Sequence, residues 1–426
     1  MSRIFFFVAL VTGLAFAFVT PPFQVPDEVT HYWRATSIAY GTIQPDLSAR
    51  GAVAEVPDAY RQFVYATFRD SRWPNGVRLA KDDFRRAWLV SLDLYPKPVA
   101  VTFIASYTPV PYAPQIAAAL VGRVFRLRPM ATFYLGRVAN VLAFAFIVAW
   151  VIRMTPYLPR AFFAVALWPM SAYLTASWSA DAMTIALAFL VAAMVLRGLR
   201  ASPFAAFLLG LCKPGYSVIS LLGASRRKWL AIVAALAGAA IATLSMASLY
   251  APVSGDARAQ WPCVRAHPLR FAAIAANDLA QHGTAYVEQA VGRLGVLDLF
   301  LPRAVIGIEL ALLALIILAG DRVPWRERVM SIVIVILVIA GTELTLYLTW
   351  SAVCGNTIEG VQGRYFLPIV PLLAIALARP AARNARRERA LAIAVPIVVT
   401  ACNLVALYVI AARYYGSFGP WIRELR

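Results

Sequence analysis

Long uninterrupted runs of apolar residues constrain this chain more than anything else in it. They fall at about 4–21, 130–152, 161–177, 181–197, 203–224, 228–250, 303–320, 329–350, 364–379 and 390–412. A helix needs about 20 apolar residues to cross the hydrocarbon core of a bilayer, and several runs approach that length. The runs are continuous rather than alternating, which excludes an outer-membrane barrel. Only 14% of the 426 residues are charged, where a soluble chain carries about a quarter. The expected fold class is therefore all-α polytopic membrane protein, a single integral-membrane domain over 1–426.

The first run, Met1 to Thr20, has the basic start and apolar centre of a secretory signal. Many more spans follow and no convincing small-residue cleavage site precedes Pro21-Pro22, so it reads as an uncleaved first span. A shorter apolar candidate lies at 110–125. The formal net charge is +19. The basic residues sit in short loops: Arg153/Arg160, Arg197/Arg200, Arg226-Arg227-Lys228, Arg322/Arg326/Arg328 and Arg383/Arg386/Arg387/Arg389. That is the positive-inside pattern of a multi-span membrane protein, with anionic lipid as a second partner for the charge. If all five loops are cytoplasmic, 203–224 enters and leaves on one side, broken at Lys213-Pro214-Gly215. Segment 110–125 then lies at the interface without crossing. In the alternative arrangement both segments cross once, and Asp181 moves to the cytoplasmic side.

The favoured topology puts 23–128 and 251–302 outside as the two large extracytoplasmic loops. Within 23–108 are ten Lys/Arg and nine Asp/Glu, among many aromatic residues. Balanced charge with aromatics predicts amphipathic helices lying on the membrane. Nucleic acid is excluded as a partner, because its binding surfaces carry a basic excess. Neither a phosphate-binding Gly-Lys loop nor a dinucleotide fingerprint is present. Of the four cysteines, Cys212 and Cys402 lie in apolar runs as packing residues, and no pair has metal-type spacing. Cys263 and Cys354 both fall in outer loops, where an oxidising compartment permits a disulfide.

Chemistry concentrates where the first run ends, in Pro21-Pro22-Phe23-Gln24-Val25-Pro26-Asp27-Glu28-Val29-Thr30-His31-Tyr32-Trp33-Arg34. Acid at a lipid–water boundary is costly and marks function when it faces a cavity. Adjacent acids on a helix diverge by about 100°, so Asp27 and Glu28 do not meet one atom together. His31 follows at a spacing that shares a face with either acid, suited to a divalent metal or an oriented base. The structural alternative is a pair of helix-start acids after Pro26. Asp181, in Ser177-Trp178-Ser179-Ala180-Asp181, is either a helix cap or a second acid facing the same cavity. Lys213 is a lysine inside an apolar hairpin, which either snorkels to headgroups or binds lipid phosphate. Arg364, in Gln362-Gly363-Arg364-Tyr365-Phe366-Leu367-Pro368, is a phosphate candidate or an interfacial anchor. Tyr107 and Tyr112, in a proline-rich entry at 109–114, offer rings to sugar faces or to headgroups. Trp261, His267, His282 and Asp298 are weaker cavity candidates.

These motifs resemble the bacterial membrane proteins grouped as domain-of-unknown-function 2142. The resemblance rests on Pro21 to Glu28 with His31 and Arg34, Tyr107-Thr108-Pro109-Val110-Pro111-Tyr112, Ser179-Ala180-Asp181-Ala182, Lys213-Pro214-Gly215-Tyr216 and Gly363 to Pro368. Val29-Thr30 departs from the Pro-Ala frequent in that family. The family in turn resembles the C-type glycosyltransferase (GT-C) superfamily. That likeness implies a GT-C-like bundle of roughly 10–12 transmembrane helices, with a first outer loop of juxtamembrane helices. It also implies a polyprenyl-phosphate-linked sugar donor and a cell-envelope glycan or lipid acceptor on the extracytoplasmic face. On this reading Asp27 and Glu28 are catalytic and Arg364 and Lys213 bind the donor phosphate. His31, Arg34, Asp181, Tyr107, Tyr112 and Tyr365 support or bind substrate. No cofactor is certain; a divalent cation, Mg or Mn, would sit on Asp27, Glu28 and Asp181. A transporter or flippase of lipid-linked sugars, or a non-catalytic GT-C-like assembly partner, is the alternative.

Overall fold

The computed structural model describes residues 1–48, 51–67, 81–102, 104–246, 256–320, 322–379 and 385–416. The chain is a helical polytopic membrane protein. Helix α1 (Ser2–Val19) buries Phe5, Ala9, Thr12, Gly13 and Phe16 and leaves Ile4, Phe7, Val11 and Phe18 exposed. That stripe recurs every three to four residues, as expected for a helix with one face in the bundle and one in lipid. After the turn at 20–27 come α2 (Glu28–Ala39), strands β1 (Asp46–Ser48) and β2 (Gly51–Pro57), α3 (Asp58–Thr67), α4 (Lys81–Leu89), strand β3 (Pro96–Ala100) and α5 (Ala113–Val124).

The membrane bundle continues with α6 (Pro129–Met154), α7 (Pro159–Ala166), α8 (Pro169–Thr175), α9 (Asp181–Arg197), α10 (Ser202–Cys212), a 3-10 segment Pro214–Leu221, α11 (Leu222–Ser225) and α12 (Trp229–Met246). Next are α13 (Ala257–Ala266), α14 (Pro268–Gly292), a hairpin of β4 (Arg293–Leu294) and β5 (Leu299–Phe300), then α15 (Arg303–Leu318) and α16 (Trp325–Thr349). A 3-10 segment Gly363–Ile369 leads into α17 (Val370–Leu377), and α18 (Ala385–Tyr415) follows. Among the described residues, four helices are each long and apolar enough to cross a bilayer: α1, α6, α16 and α18. The other passes use shorter helices, some joined end to end. The α7–α8 break falls before Pro169, which lacks an N–H. Asn403 Nδ2 donates to the Leu167 carbonyl at that break, 2.7 Å away.

All five basic loops gather at one end. Arg160 pairs with Glu388 (2.8 Å) and Arg226 with Glu327 (2.7 Å), while Arg226 also donates to Tyr157 Oη (2.8 Å). A side chain at Gly198 would lie 3.9 Å from Lys228. The run 203–224 therefore starts and finishes at this end, with its break at Lys213 reaching the opposite one. It is a helical hairpin. Helix α10 packs so closely on α12 that a Cβ at Gly210 or Gly238 would overlap facing backbone, as small residues permit between membrane helices. Helix α5 packs beside the start of α6; Gly122 touches Thr132 and Gln115 Nε2 donates to Ser179 O (3.3 Å).

The cap at the far end corrects one expectation. The stretch 23–108 holds α2 to α4, but also an antiparallel sheet ordered β1-β2-β3, with Val53 opposite Ala100 and Pro57 opposite Pro96. The signal was the alternation in Gly51-Ala52-Val53-Ala54-Glu55-Val56, whose Ala52, Ala54 and Val56 are buried. A period of two turns one face inward in a strand, not in a helix. That face packs with Val99, Val101, Ile104, Trp33 and Tyr107. The sheet thus supports Tyr107. A second cluster of Phe23, Tyr32, Tyr60, Phe63, Phe133 and Trp178 fastens the cap to the bundle.

Candidate functional site

Asp27 and Glu28 go to different places. Asp27 sits in the left-handed region (φ 60°) at the start of α2; aspartate tolerates that conformation better than most residues. Phe23, four residues earlier, is also left-handed (φ 66°). The two reversals fold Pro21 to Asp27 back on the end of α1. Glu28 then points inward and is fully buried.

Arg137 on α6 meets Glu28 with two nitrogens, Nε to Oε1 (3.0 Å) and Nη2 to Oε2 (2.7 Å). It also donates to the carbonyls of Ala17, Thr20 and Pro21. Glu28 in turn accepts the backbone N–H of Phe23 (2.9 Å) and of Trp178 (3.1 Å). Every strong bonding direction of both groups is thus used, as a buried ion pair requires. The expectation of Glu28 as a catalytic or metal-binding acid is corrected: it joins α1, α2, α6 and the Ser177–Asp181 turn. Sequence reasoning missed Arg137. Its signal was an arginine eight residues inside an apolar run.

Asp27 turns toward the opposite acid cluster. Arg364 Nη2 lies 2.5 Å from Asp27 Oδ2, and Arg364 Nη1 lies 3.3 Å from Asp181 Oδ2. Lys213 Nζ lies 2.5 Å from Asp181 Oδ1. Two acids and two bases from the α1–α2 turn, the start of α9, the hairpin tip and the 3-10 segment Gly363–Ile369 thus form one chain of charge. Lys213 is therefore no headgroup anchor. Its ammonium lies 5.4 Å from the Tyr107 ring and 5.6 Å from the Tyr365 ring. Tyr216, beside the tip, donates to Tyr365 O (2.7 Å).

Access differs across the cluster. The Arg364 side chain is 2% exposed, that of Asp181 9%, and that of Asp27 52%. Asp27 is the open end. Arg364 Nη1 faces Asp181 at ion-pair distance without a well-aligned hydrogen bond. Burial is the largest single influence on Asp27 and would raise its pKa, but the charge and hydrogen bond of Arg364, with His31, together hold the carboxyl below its ordinary value. His31 lies behind the acids with Nδ1 2.7 Å from Tyr112 Oη. Burial pushes its imidazole down to about 4, against the opposing pull of Asp27 and Asp181, so it is neutral at neutral pH.

Several other expectations resolve here. Arg34 is fully buried and donates to the carbonyls of Ile43 (2.8 Å), Tyr107 (3.0 Å) and Thr42 (3.4 Å). It tethers Tyr107 rather than touching the cavity. Tyr112 is buried, with its hydroxyl on His31 and its ring beside that of Tyr107. A divalent cation would need the Asp27 and Asp181 oxygens that Arg364 and Lys213 hold, and Glu28 faces away. Among the described residues no three His, Cys, Asp or Glu side chains converge as a metal set. The residues do not fit such an ion. Trp261 is exposed, and Asp298 pairs with Arg413 (3.2 Å). Cys263 and Cys354 are joined, with Cα atoms 5.7 Å apart. The bridge ties α13 to the loop that leads into Arg364, and Gln260 bonds the last turns of α16 at Tyr347 O and that loop at Ala352 O and Cys354 N.

The sequence matches the family described as "Predicted membrane protein (DUF2142)" over residues 10–373. The chain belongs to that family. The match takes in every charged residue of the site, from Asp27 to Arg364. No curated protein and no solved structure matches this DUF2142 protein.

Proposed function

We propose that this protein is a glycosyltransferase of the bacterial cytoplasmic membrane, moving a sugar from a polyprenyl-phosphate donor to a cell-envelope glycan or lipid on the extracytoplasmic face. The observation that carries this reading is the convergence of Asp27, Asp181, Lys213 and Arg364 at the end opposite the basic loops. Positive loops stay inside, so this end faces out.

On this reading the donor phosphate meets Arg364 and Lys213 in exchange for part of their contact with Asp181, while Tyr107 and Tyr365 flank the sugar. The acceptor reaches Asp27 from the open side. Its hydroxyl oxygen attacks the anomeric carbon, Asp27 takes the hydroxyl proton, and the bond to the phosphate oxygen breaks. The electron pair leaves on that phosphate, whose charge Arg364 and Lys213 stabilise; such fixed charges supply the largest share of barrier reduction. The depressed Asp27 pKa keeps the base ionised at neutral pH.

The helical hairpin with its lysine tip favours a second reading, a transporter or flippase of lipid-linked sugars. The test is incubation of purified protein in liposomes with a labelled polyprenyl-phosphate sugar. Label in a new glycosidic bond supports transfer. Label that changes leaflet with the donor intact supports transport. Neither result leaves the non-catalytic assembly partner.

A further inference from the structure

Arg364 is held by more than its two acids. Its Nε donates to Gln362 Oε1 at 2.6 Å. A guanidinium presents its N–H groups in one rigid plane, with Nε and Nη2 along the side edge and the two Nη groups along the end edge. Gln362 on Nε and Asp27 on Nη2 together fill the side edge. The remaining corner, Nη1, faces Asp181 at 3.3 Å. With Nε and Nη2 both bonded, the plane does not turn without breaking one of those bonds.

Gln362 is itself fixed. Its backbone is extended (φ −132°, ψ 137°) at the entry to the 3-10 segment, and its carbonyl accepts the Tyr365 N–H (3.0 Å). The next N–H, that of Gly363, donates to Gln289 Oε1 on α14 (2.8 Å). The Tyr286 carbonyl packs so tightly on Gly363 that a Cβ there would overlap it. Two glutamines thus secure one turn: Gln289 holds its backbone and Gln362 its arginine. An amide suits the second task. Asp27 and Asp181 already balance Arg364 and Lys213 in charge. A neutral acceptor orients the guanidinium without a third acid to cancel its attraction for an anion. We propose that Gln362 is a positioning residue: it locks the side edge of Arg364, so that the Nη1 corner, which shares Asp181 with Lys213, is presented to the donor phosphate. The phosphate rests on the function proposed above; the hold on Arg364 does not.

The test begins with thermal unfolding of the intact protein in detergent. Gln362→Met keeps the side-chain length and removes the acceptor, leaving Nε of a side chain only 2% exposed without its partner. It is expected to lower the unfolding temperature by about 1–4 °C. In an Arg364→Lys background, where no Nε exists, the same change is expected to cost nothing further. An equal drop in both backgrounds, or no drop in the wild type, overturns the hold on Arg364. Gln362→Glu keeps the acceptor and needs no second substitution; a fall as large as that of Gln362→Met overturns the hold as well. Where the wild type transfers sugar, the two variants are expected to part. Gln362→Glu raises KM for the donor about tenfold or more through its added charge, whereas Gln362→Met lowers kcat about tenfold or more through lost alignment. Wild-type kinetics in both variants overturns the role toward phosphate. Absence of transfer in the wild type counts against the proposed function and leaves the unfolding result standing.

Discussion

Asp27 and Glu28 are neighbours in sequence and opposites in structure. Glu28 is sealed against Arg137, with its partners fixed on three segments: the turn after α1, α6 and the turn before α9. Asp27 shares Arg364 with Asp181 and stays half open. One ion pair holds the fold and the other is left accessible at its edge. The difference comes from one backbone position: the left-handed Asp27 ends the turn, so the next side chain faces the core.

The largest effect is expected at the sealed pair. Arg137→Ala or Glu28→Ala leaves a buried charge alone, which costs about 3–5 kcal/mol. Thermal unfolding in detergent should show that loss, or the folded protein should not accumulate. A change near zero would mean that the pair is not the clamp. His31 comes next. Its folded pKa is depressed to about 4 from 6.5. The unfolded chain therefore binds the extra proton between those values, and stability rises with pH across that window. It is full above the ordinary value and is lost on acidification, by up to about 3 kcal/mol. His31→Gln should flatten this slope in unfolding measured from about pH 7 to about pH 4.

Gly363→Ala puts a methyl against Tyr286 O. It is expected to cost about 1–3 kcal/mol and to displace Arg364, read as lost sugar transfer alongside a lowered unfolding temperature. The smallest stability effect is expected at the open pair. Asp27→Asn should change unfolding by under about 1 kcal/mol, as exposed ion pairs do. A large loss there would erase the contrast with Glu28.

The bundle was legible because apolar runs of membrane length admit few alternatives, and the basic loops fixed which ends meet. Asp27, Asp181, Lys213 and Arg364 were legible as charges at the margins of apolar runs. That they meet, from positions as distant as 27 and 364, was not a property of any local pattern. Glu28 misled because adjacent acids look equivalent until a positive φ separates them. Arg137 went unnoticed among charges that drew attention by clustering. The sheet in the cap was hidden by short strands, although the alternation at 51–56 marked one of them.

The most direct test of the account compares transfer of labelled sugar from polyprenyl-phosphate donor by the wild type and by Asp27→Asn, at matched unfolding temperature. The account predicts a fall of about 10²–10⁴-fold. An Asp27→Asn protein that transfers sugar at the wild-type rate would contradict it.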